Sequence, residues 1–411
     1  MPTAKRLEKI LSLEDFEPVA RRVLPRSIFS FIAGGAETDA SLRANRQAFL
    51  DIAFSPRVLV DVSKRSTVTQ LFGKRFEAPF GIAPMGGAGL AGYHADIALA
   101  RAAAAANVPF VLSGSSLIAL ERIIKENPQT WFQAYFSVDR GEIGALVDRV
   151  AAANYHTLVI TADVPVPGNR EHLIRRGYTS PLRPNPRLLL DALSHPRWLV
   201  GTALRTLLTT GMPHHENYGA DGGVPVFSRT ATRSHIRDSL SWKDVEWVRG
   251  RWKGHLVIKG ILAASDARTA REVGADAVVV SNHGGRQLDG AVAPLRVLPR
   301  IAEEARGMSV FYDSGIRRGT DVIKALALGA HFVFVGRPFL YAAAVAGAAG
   351  VLRAVDLLRI EVDRDLALLG CRSISELSAR IIESSGAPMS PLRDRRGDPL
   401  PTAPGRVDRQ E

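Results

Sequence analysis

Eight short apolar runs narrow what this chain can fold into more than any other feature. They are Pro79–Ala83, Pro109–Leu112, Trp131–Tyr135, Thr157–Thr161, His255–Lys259, Ala277–Ser281, Ser309–Tyr312 and Phe332–Val335. Each is rich in β-branched or aromatic residues and lacks the alternation of a half-exposed strand. Such runs match strands covered on both faces, as in a parallel sheet. Helical patterns separate them at Asp96–Ala106, Ser116–Asn127, Gly141–Ala153, Ser265–Val273, Leu295–Ala305 and Thr320–Leu328. Eight βα repeats predict a (β/α)8 TIM barrel over residues 78–378, whereas an open doubly wound sheet needs fewer. Residues 1–77 read as an N-terminal extension of short helices and a small β segment. A long insertion, about 176–235, follows the fourth strand. Residues 387–411, patternless and rich in Pro, Arg and Asp, read as a disordered tail.

Composition removes several classes. A single cysteine, Cys371, forms no intramolecular disulfide and no Cys-based zinc site. Met1–Ile10 is charged rather than apolar, and Pro338–Val351, the nearest approach to a bilayer span, is short. The expectation is a cytoplasmic-side protein. Lys and Arg number 53 against 41 Asp and Glu, a net charge of +12. With no zinc finger, aromatic RNA-binding signature or continuous basic helix, the excess points to anionic ligands or an anionic membrane surface, not to nucleic acid. In the insertion, Leu188–Leu190, Trp198–Val200 and Leu207–Leu208 alternate with Arg183, Arg187, Arg197 and Arg205. That pattern fits either a membrane-surface segment or packing on a neighbouring subunit.

In a barrel, chemistry gathers at the C-terminal ends of the strands. After strands seven and eight, glycines accompany Arg317 and Arg337, the makings of a phosphate site. The sixth strand leads into a glycine-rich loop with His283, able to move a proton near neutral pH, and Arg286, able to grip a carboxylate. Arg170 after strand four supplies a second guanidinium, and Asp163 is placed to orient His283. Lys259, ending strand five, is suited to stabilising a developing anion. Gly87–Gly92 satisfies G-x-G-x-x-G, but the next strand ends in Ser113 with no acid to hold a ribose, so a dinucleotide fold is rejected. The adjacent pair His214-His215 cannot share a helical face as ligands, and no metal site is expected.

Ser281-Asn-His-Gly-Gly-Arg-Gln287 and Asp313-Ser-Gly-Ile-Arg-Arg-Gly-Thr-Asp321, supported by Ser239-Leu-Ser-Trp-Lys-Asp244, carry a resemblance. From about Leu11 to about Ser378 the chain resembles the FMN-dependent L-2-hydroxy-acid oxidases and dehydrogenases. His195–Trp198 and Gly211–Pro213 most resemble the membrane-associated mandelate and lactate dehydrogenases. The resemblance implies that Ala83, Pro84, Met85, Ser113, Gln133, Thr161 and Lys259 cradle the flavin ring. It implies that Asp313, Gly315, Arg317, Gly336 and Arg337 hold the FMN phosphate. Phe31, Tyr135, Arg170 and Arg286 would bind the acid, with His283 as base and Asp163 behind it. The implied reaction passes two electrons from the α-carbon to flavin N5 and leaves a 2-oxo acid. Whether His283 takes the α-proton or the hydroxyl proton stays open.

Three departures bear on substrate and acceptor. Phe31 stands where the family has a Tyr whose hydroxyl touches the substrate carboxylate, a loss of about 1 kcal/mol. Gly87 and Ser115 stand where glycolate oxidase has Met and Trp, which implies a wider pocket and a mandelate-like or otherwise bulky acid. Gly86 replaces the Ala of the oxidases, which favours a membrane quinone over O2. The alternative is an O2-dependent oxidase releasing hydrogen peroxide. The resemblance also implies a homotetramer.

Overall fold

The computed structural model describes residues 7–179, 182–183, 185–218, 224–227 and 237–384. The tail expected at 387–411 and parts of the insertion lie outside them. Eight strands form one sheet: β1 (Phe80–Ile82), β2 (Val111–Ser113), β3 (Trp131–Ala134), β4 (Thr157–Thr161), β5 (His255–Ile261), β6 (Ala277–Val280), β7 (Ser309–Tyr312) and β8 (Phe332–Val335). Neighbours pair in parallel and in chain order; β8 pairs β1, and a parallel bridge from Ile82 to Phe110 closes the ring. The barrel expected from the sequence is the one observed.

The reason for continuous apolar runs is visible in the packing. One set of strand side chains, among them Val111, Trp131, Val159, Val257, Phe311 and Phe334, fills the barrel interior. The other set, including Ile82, Leu112, Leu158, Ile258, Val278 and Val310, lies under the helices. Both sets are removed from water, so neither face selects polar residues. A hairpin of Thr69–Leu71 and Lys74–Phe76 closes the N-terminal end of the barrel, with Phe72 stacked 4.1 Å from the His255 ring.

One expected helix begins late. The pattern at Ser116–Asn127 gives a helix only over Leu120–Glu126. The Ser116 hydroxyl accepts from the Ile118 N–H and holds a turn, while the distant Asn217 side chain accepts from the Leu120 N–H. The stretch at Pro338–Val351 belongs to a 32-residue helix, Arg337–Leu368, kinked at Ala346 and Gly347. By length and composition this helix is apolar enough to cross a membrane, but 67% of its most apolar window is buried in the protein. It packs on the helix Ala95–Ala106 and on α1 (Phe16–Val23).

The N-terminal elements position the site. α2 (Arg26–Ala33) and α3 (Ala40–Leu50) bury Phe29 and Phe49 in the same apolar cluster as the barrel helices. α3 fixes the loops after β6 and β7. Asn45 and Asn282 exchange two amide hydrogen bonds at 2.8 Å, and Arg46 donates to the Gly315 carbonyl and to Asp321. Asp289, from the β6 loop, accepts from the backbone N–H groups of Thr38, Ala40 and Ser41 at the start of α3.

The insertion is also anchored. Its helix Pro186–Leu193 starts with Pro at the first turn and the Asn185 side chain accepting from the Leu188 N–H. The Asp191 carboxylate accepts from the N–H groups of Arg26 and Ser27, the first turn of α2, at 2.9 and 2.8 Å. Trp198 Nε1 donates to the Leu90 carbonyl at 2.7 Å, and Arg205 lies 4.0 Å over the Tyr93 ring. The same segment turns Leu189, Leu190, Leu193, Val200, Leu207 and Leu208 to solvent, with Leu208 85% exposed.

Candidate active site

A cavity of about 390 Å³ occupies the C-terminal mouth of the barrel, within the size range of ligand pockets. Except for Ser113 and Asp163, every residue expected at the site lines it. Those two stand directly behind: Ser113 Oγ donates to Gln133 Oε1 at 3.0 Å, and Asp163 Oδ1 lies 3.0 Å from His283 Nδ1.

The His283 loop owes its shape to its backbone. His283, Gly284 and Gly285 are consecutive left-handed residues at φ of 57°, 66° and 74°. The His283 and Gly284 N–H groups donate to the hydroxyls of Ser281 and Ser314. This turn directs the imidazole at Asp163. A neutral ring donating Nδ1–H to that carboxylate leaves Nε2 as the acceptor. Gly260 (φ 104°) makes room for Asp163, since a Cβ there would stand 2.6 Å from the Asp163 Cβ.

Electrostatics fix the charge states. Burial pushes the His283 pKa down, and Lys259 and Arg170 push with it, against the opposing pull of Asp163. The net direction is below 6.5, so the ring is neutral at pH 7. Burial alone would raise Asp163, but His283 and Lys259 outweigh it and hold the carboxylate below its ordinary value. Lys259 is buried, which by itself would lower its pKa, yet Asp313 and Asp163 hold it above the ordinary range. Its Nζ sits 2.8 Å from Asp313 Oδ2 and donates to Ser281 Oγ at 2.7 Å. Lys259 is therefore a permanent cation in the floor of the mouth.

These directions set a pH dependence. A base that works deprotonated gives a kcat/KM that rises with pH through the His283 pKa, with the acid limb below pH 6.5, and then levels. Asp163→Asn removes the group that raises that pKa, so the limb shifts to lower pH. The plateau drops about 10²-fold or more, because protonated His283 loses its counter-charge. A pH profile of kcat/KM for both proteins checks both shifts.

Three arginines converge near the C-terminal end of α2. Arg286 Nη1 donates to the Phe31 and Gly34 carbonyls at 2.7 and 2.9 Å, and Arg337 donates from Nε to Ile32 and from Nη2 to Gly34. A helix end offers carbonyls without intrahelical partners and the negative pole of its dipole, which suits cations. Arg170 donates from Nε and Nη2 to the Arg286 carbonyl and from Nη2 to Gln287 Oε1. Burial, then Arg170 and Arg337, hold Arg286 well below its usual pKa. Arg337 is pushed down to about 10 by burial and by Arg317 beside it.

The cavity suits FMN on two counts. Arg317 and Arg337 place two half-buried positive charges at one end, and among the described residues neither is paired with a carboxylate. A phosphate would relieve their repulsion. At the barrel axis, Gln133 Nε2 and Thr161 Oγ1 are buried with no partner among the described residues. They are placed to bond the polar edge of a planar ring.

Sequence reasoning missed the wall supplied by the insertion and its margins. Tyr178, Leu182, His215, Tyr218, Val226 and Arg237 all line the cavity. Phe31 stacks on Tyr178 at 5.0 Å, and the Tyr218 hydroxyl lies 2.6 Å from Ser115 Oγ. The space that Gly87 and Ser115 vacate is thus bordered by Tyr218 and His215. No periodicity marks these residues in the sequence.

A closed parallel barrel whose mouth holds a neutral His283 against the Asp163 carboxylate, a buried lysine and clustered arginines fits a flavin-dependent oxidoreductase acting on hydroxy acids. The chain belongs to the FMN-dependent dehydrogenase family, whose model matches residues 20–384. It is 41% identical to an L-lactate dehydrogenase of Pseudomonas aeruginosa over 376 residues, 89% of this chain and 96% of that one. It is 37% identical to an (S)-mandelate dehydrogenase of Pseudomonas putida, covering 92% and 95%. Among solved structures, a monotopic membrane (S)-mandelate dehydrogenase superposes with a TM-score of 0.82 at 36% identity, covering 91% and 99%. A mandelate oxidase bound to (S)-2-phenylpropionate gives 0.75 at 36%, covering 91% and 98%.

Proposed function

We propose that the protein oxidises a bulky L-2-hydroxy acid to its 2-oxo acid and passes the electrons to a membrane quinone. One observation carries the reading: His283, held by Asp163 and neutral at pH 7, shares the cavity with Arg170 and Arg286. Arg170 and Arg286 take the carboxylate and fix the α-carbon. His283 Nε2 accepts the substrate proton, and Asp163 stabilises the imidazolium that results. Burial keeps the Tyr135 hydroxyl protonated, available as a donor to the acid. Arg317 and Arg337 would hold the phosphate of FMN, and Gln133, Thr161 and Lys259 its ring; when bound, FMN would supply a two-electron acceptor. Lys259, held positive by Asp313, would favour negative charge at that end of the cavity.

Gly87 and Ser115 support a large substrate side chain. Gly86 supports the quinone: a Cβ there would stand 2.8 Å from Ser115 Cβ, so the alanine of the oxidases would require the β2 loop to move. Visible absorption before and after anaerobic addition of (S)-mandelate or glycolate tests the reaction. Bleaching by the larger acid supports the reading, and a flavin inert to 2-hydroxy acids defeats it. The mandelate oxidase relative keeps O2 as the rival acceptor, and peroxide yield per turnover separates the two.

The exposed leucines of the insertion, interleaved with Arg187, Arg197 and Arg205, support peripheral docking on the inner face of the cell membrane. Leu190→Ser, Leu193→Ser and Leu208→Ser together leave the Asp191 and Trp198 anchors in place. That variant is expected to move from the membrane to the soluble fraction while keeping its activity with a soluble dye. Native protein that ignores anionic vesicles at low salt removes the docking idea. A homotetramer is proposed on the family resemblance, and sedimentation velocity checks it.

A further inference from the structure

Arg170 and Tyr178 bracket one short helix, Glu171–Arg175, and both line the cavity. Arg170 is its N-cap residue. Past its end Gly177 turns left-handed at φ 76°, and the Tyr178 N–H donates back to the Leu173 carbonyl at 2.9 Å. This closure buries Tyr178 and lays its ring on Phe31, with centroids 5.0 Å apart and planes 16° from parallel. The Arg286 guanidinium lies 5.2 Å from the centroid of the same Phe31 ring. Arg286 and then Arg170 are the charges that act most on the Tyr178 hydroxyl, which places it at the end of the cavity where these guanidiniums stand. Burial keeps the phenol protonated, and no hydrogen bond to another described residue occupies it.

We propose that Tyr178 donates its hydroxyl to the substrate carboxylate, supplying the bond that Phe31, in the same ring stack, cannot make. The inference rests on the function proposed above and adds a substrate-binding residue to its site. The arginines there are partly engaged: Arg286 Nη1 on the Phe31 and Gly34 carbonyls, Arg170 Nε and Nη2 on the Arg286 carbonyl and Gln287. A carboxylate offers more acceptor positions than their remaining N–H groups readily fill in one geometry. A phenol adds a charge-assisted bond without adding a third like charge to the cluster. The resemblance expects this hydroxyl on residue 31; here it is carried by the ring stacked against that residue.

The test compares native holoenzyme with Tyr178→Phe and with the double variant Phe31→Tyr/Tyr178→Phe. Each is reduced anaerobically with (S)-mandelate or L-lactate, whichever the native flavin accepts faster. Each is also titrated with the matching deoxy acid, phenylacetate or propanoate, which keeps the carboxylate and has no hydroxyl to oxidise. Tyr178→Phe should raise KM and the Kd of the deoxy acid by about tenfold or more, the scale of a hydrogen bond to a charged group, with little change in kcat. The double variant should recover most of that affinity. The phenylalanine ring preserves the stack, so a packing role predicts neither the loss nor the recovery; flavin content and Tm report the fold. Native affinities in Tyr178→Phe overturn this inference and leave the proposed function intact, as does a loss confined to kcat or one that Phe31→Tyr does not restore. A flavin that no 2-hydroxy acid reduces overturns both.

Discussion

His283→Ala is expected to retain FMN and to lose about 10³–10⁴-fold in the rate of flavin reduction by substrate, the upper range for removal of a general base. Retention follows from the loop's construction. The turn is held by backbone bonds to Ser281 and Ser314 and by the Asn45–Asn282 amide pair, none of which uses the imidazole. His283 does sit at φ 57°, where an alanine is strained. His283→Asn is the better-matched companion, because asparagine tolerates that conformation and supplies no base. Anaerobic stopped-flow spectra read binding and reduction separately. Native reduction rates in either variant would remove His283 from the role.

Arg286→Lys carries the next largest expectation, a fall of about 10²–10³-fold in kcat/KM, the scale of losing one partner of a buried charged hydrogen-bond set. Arg286 reaches the Phe31 and Gly34 carbonyls with a single nitrogen, and its guanidinium lies 5.2 Å over the Phe31 ring. A lysine keeps the charge but has one compact donor group where the fork had several. It can serve the α2 carbonyls or the acid, but not both. The loss should therefore appear in KM and in the affinity for a non-reacting acid analogue as well as in kcat. An unchanged analogue affinity would show that Arg286 does not grip the acid.

How much of this was legible in the sequence depended on where each signal came from. Strands buried on both faces announce themselves locally, and β4, β7 and β8 fall on the residues expected. The start of the helix at Leu120 did not, because its cap arrives from Asn217, 97 positions away. The same division holds at the site. His283, Arg286, Arg317 and Lys259 sit at strand ends, where the barrel repeat itself marks them. Tyr178, Tyr218 and Arg237 reach the cavity from an aperiodic, proline-rich segment, and only the folded chain reveals it. The sequence reading made Arg337 a phosphate ligand; its hydrogen bonds to the end of α2 depend on a helix some 300 residues earlier.

The anchoring of the insertion has a consequence for protein engineering and for divergence among relatives. Its surface helix caps α2, which carries Phe31, and its Trp198 holds Leu90, while its two margins supply Tyr178 and Leu182 on one side and His215 and Tyr218 on the other. The segment is therefore not a detachable module. A chimera that borrows it from a relative imports part of the substrate pocket with it, so address and appetite are inherited together.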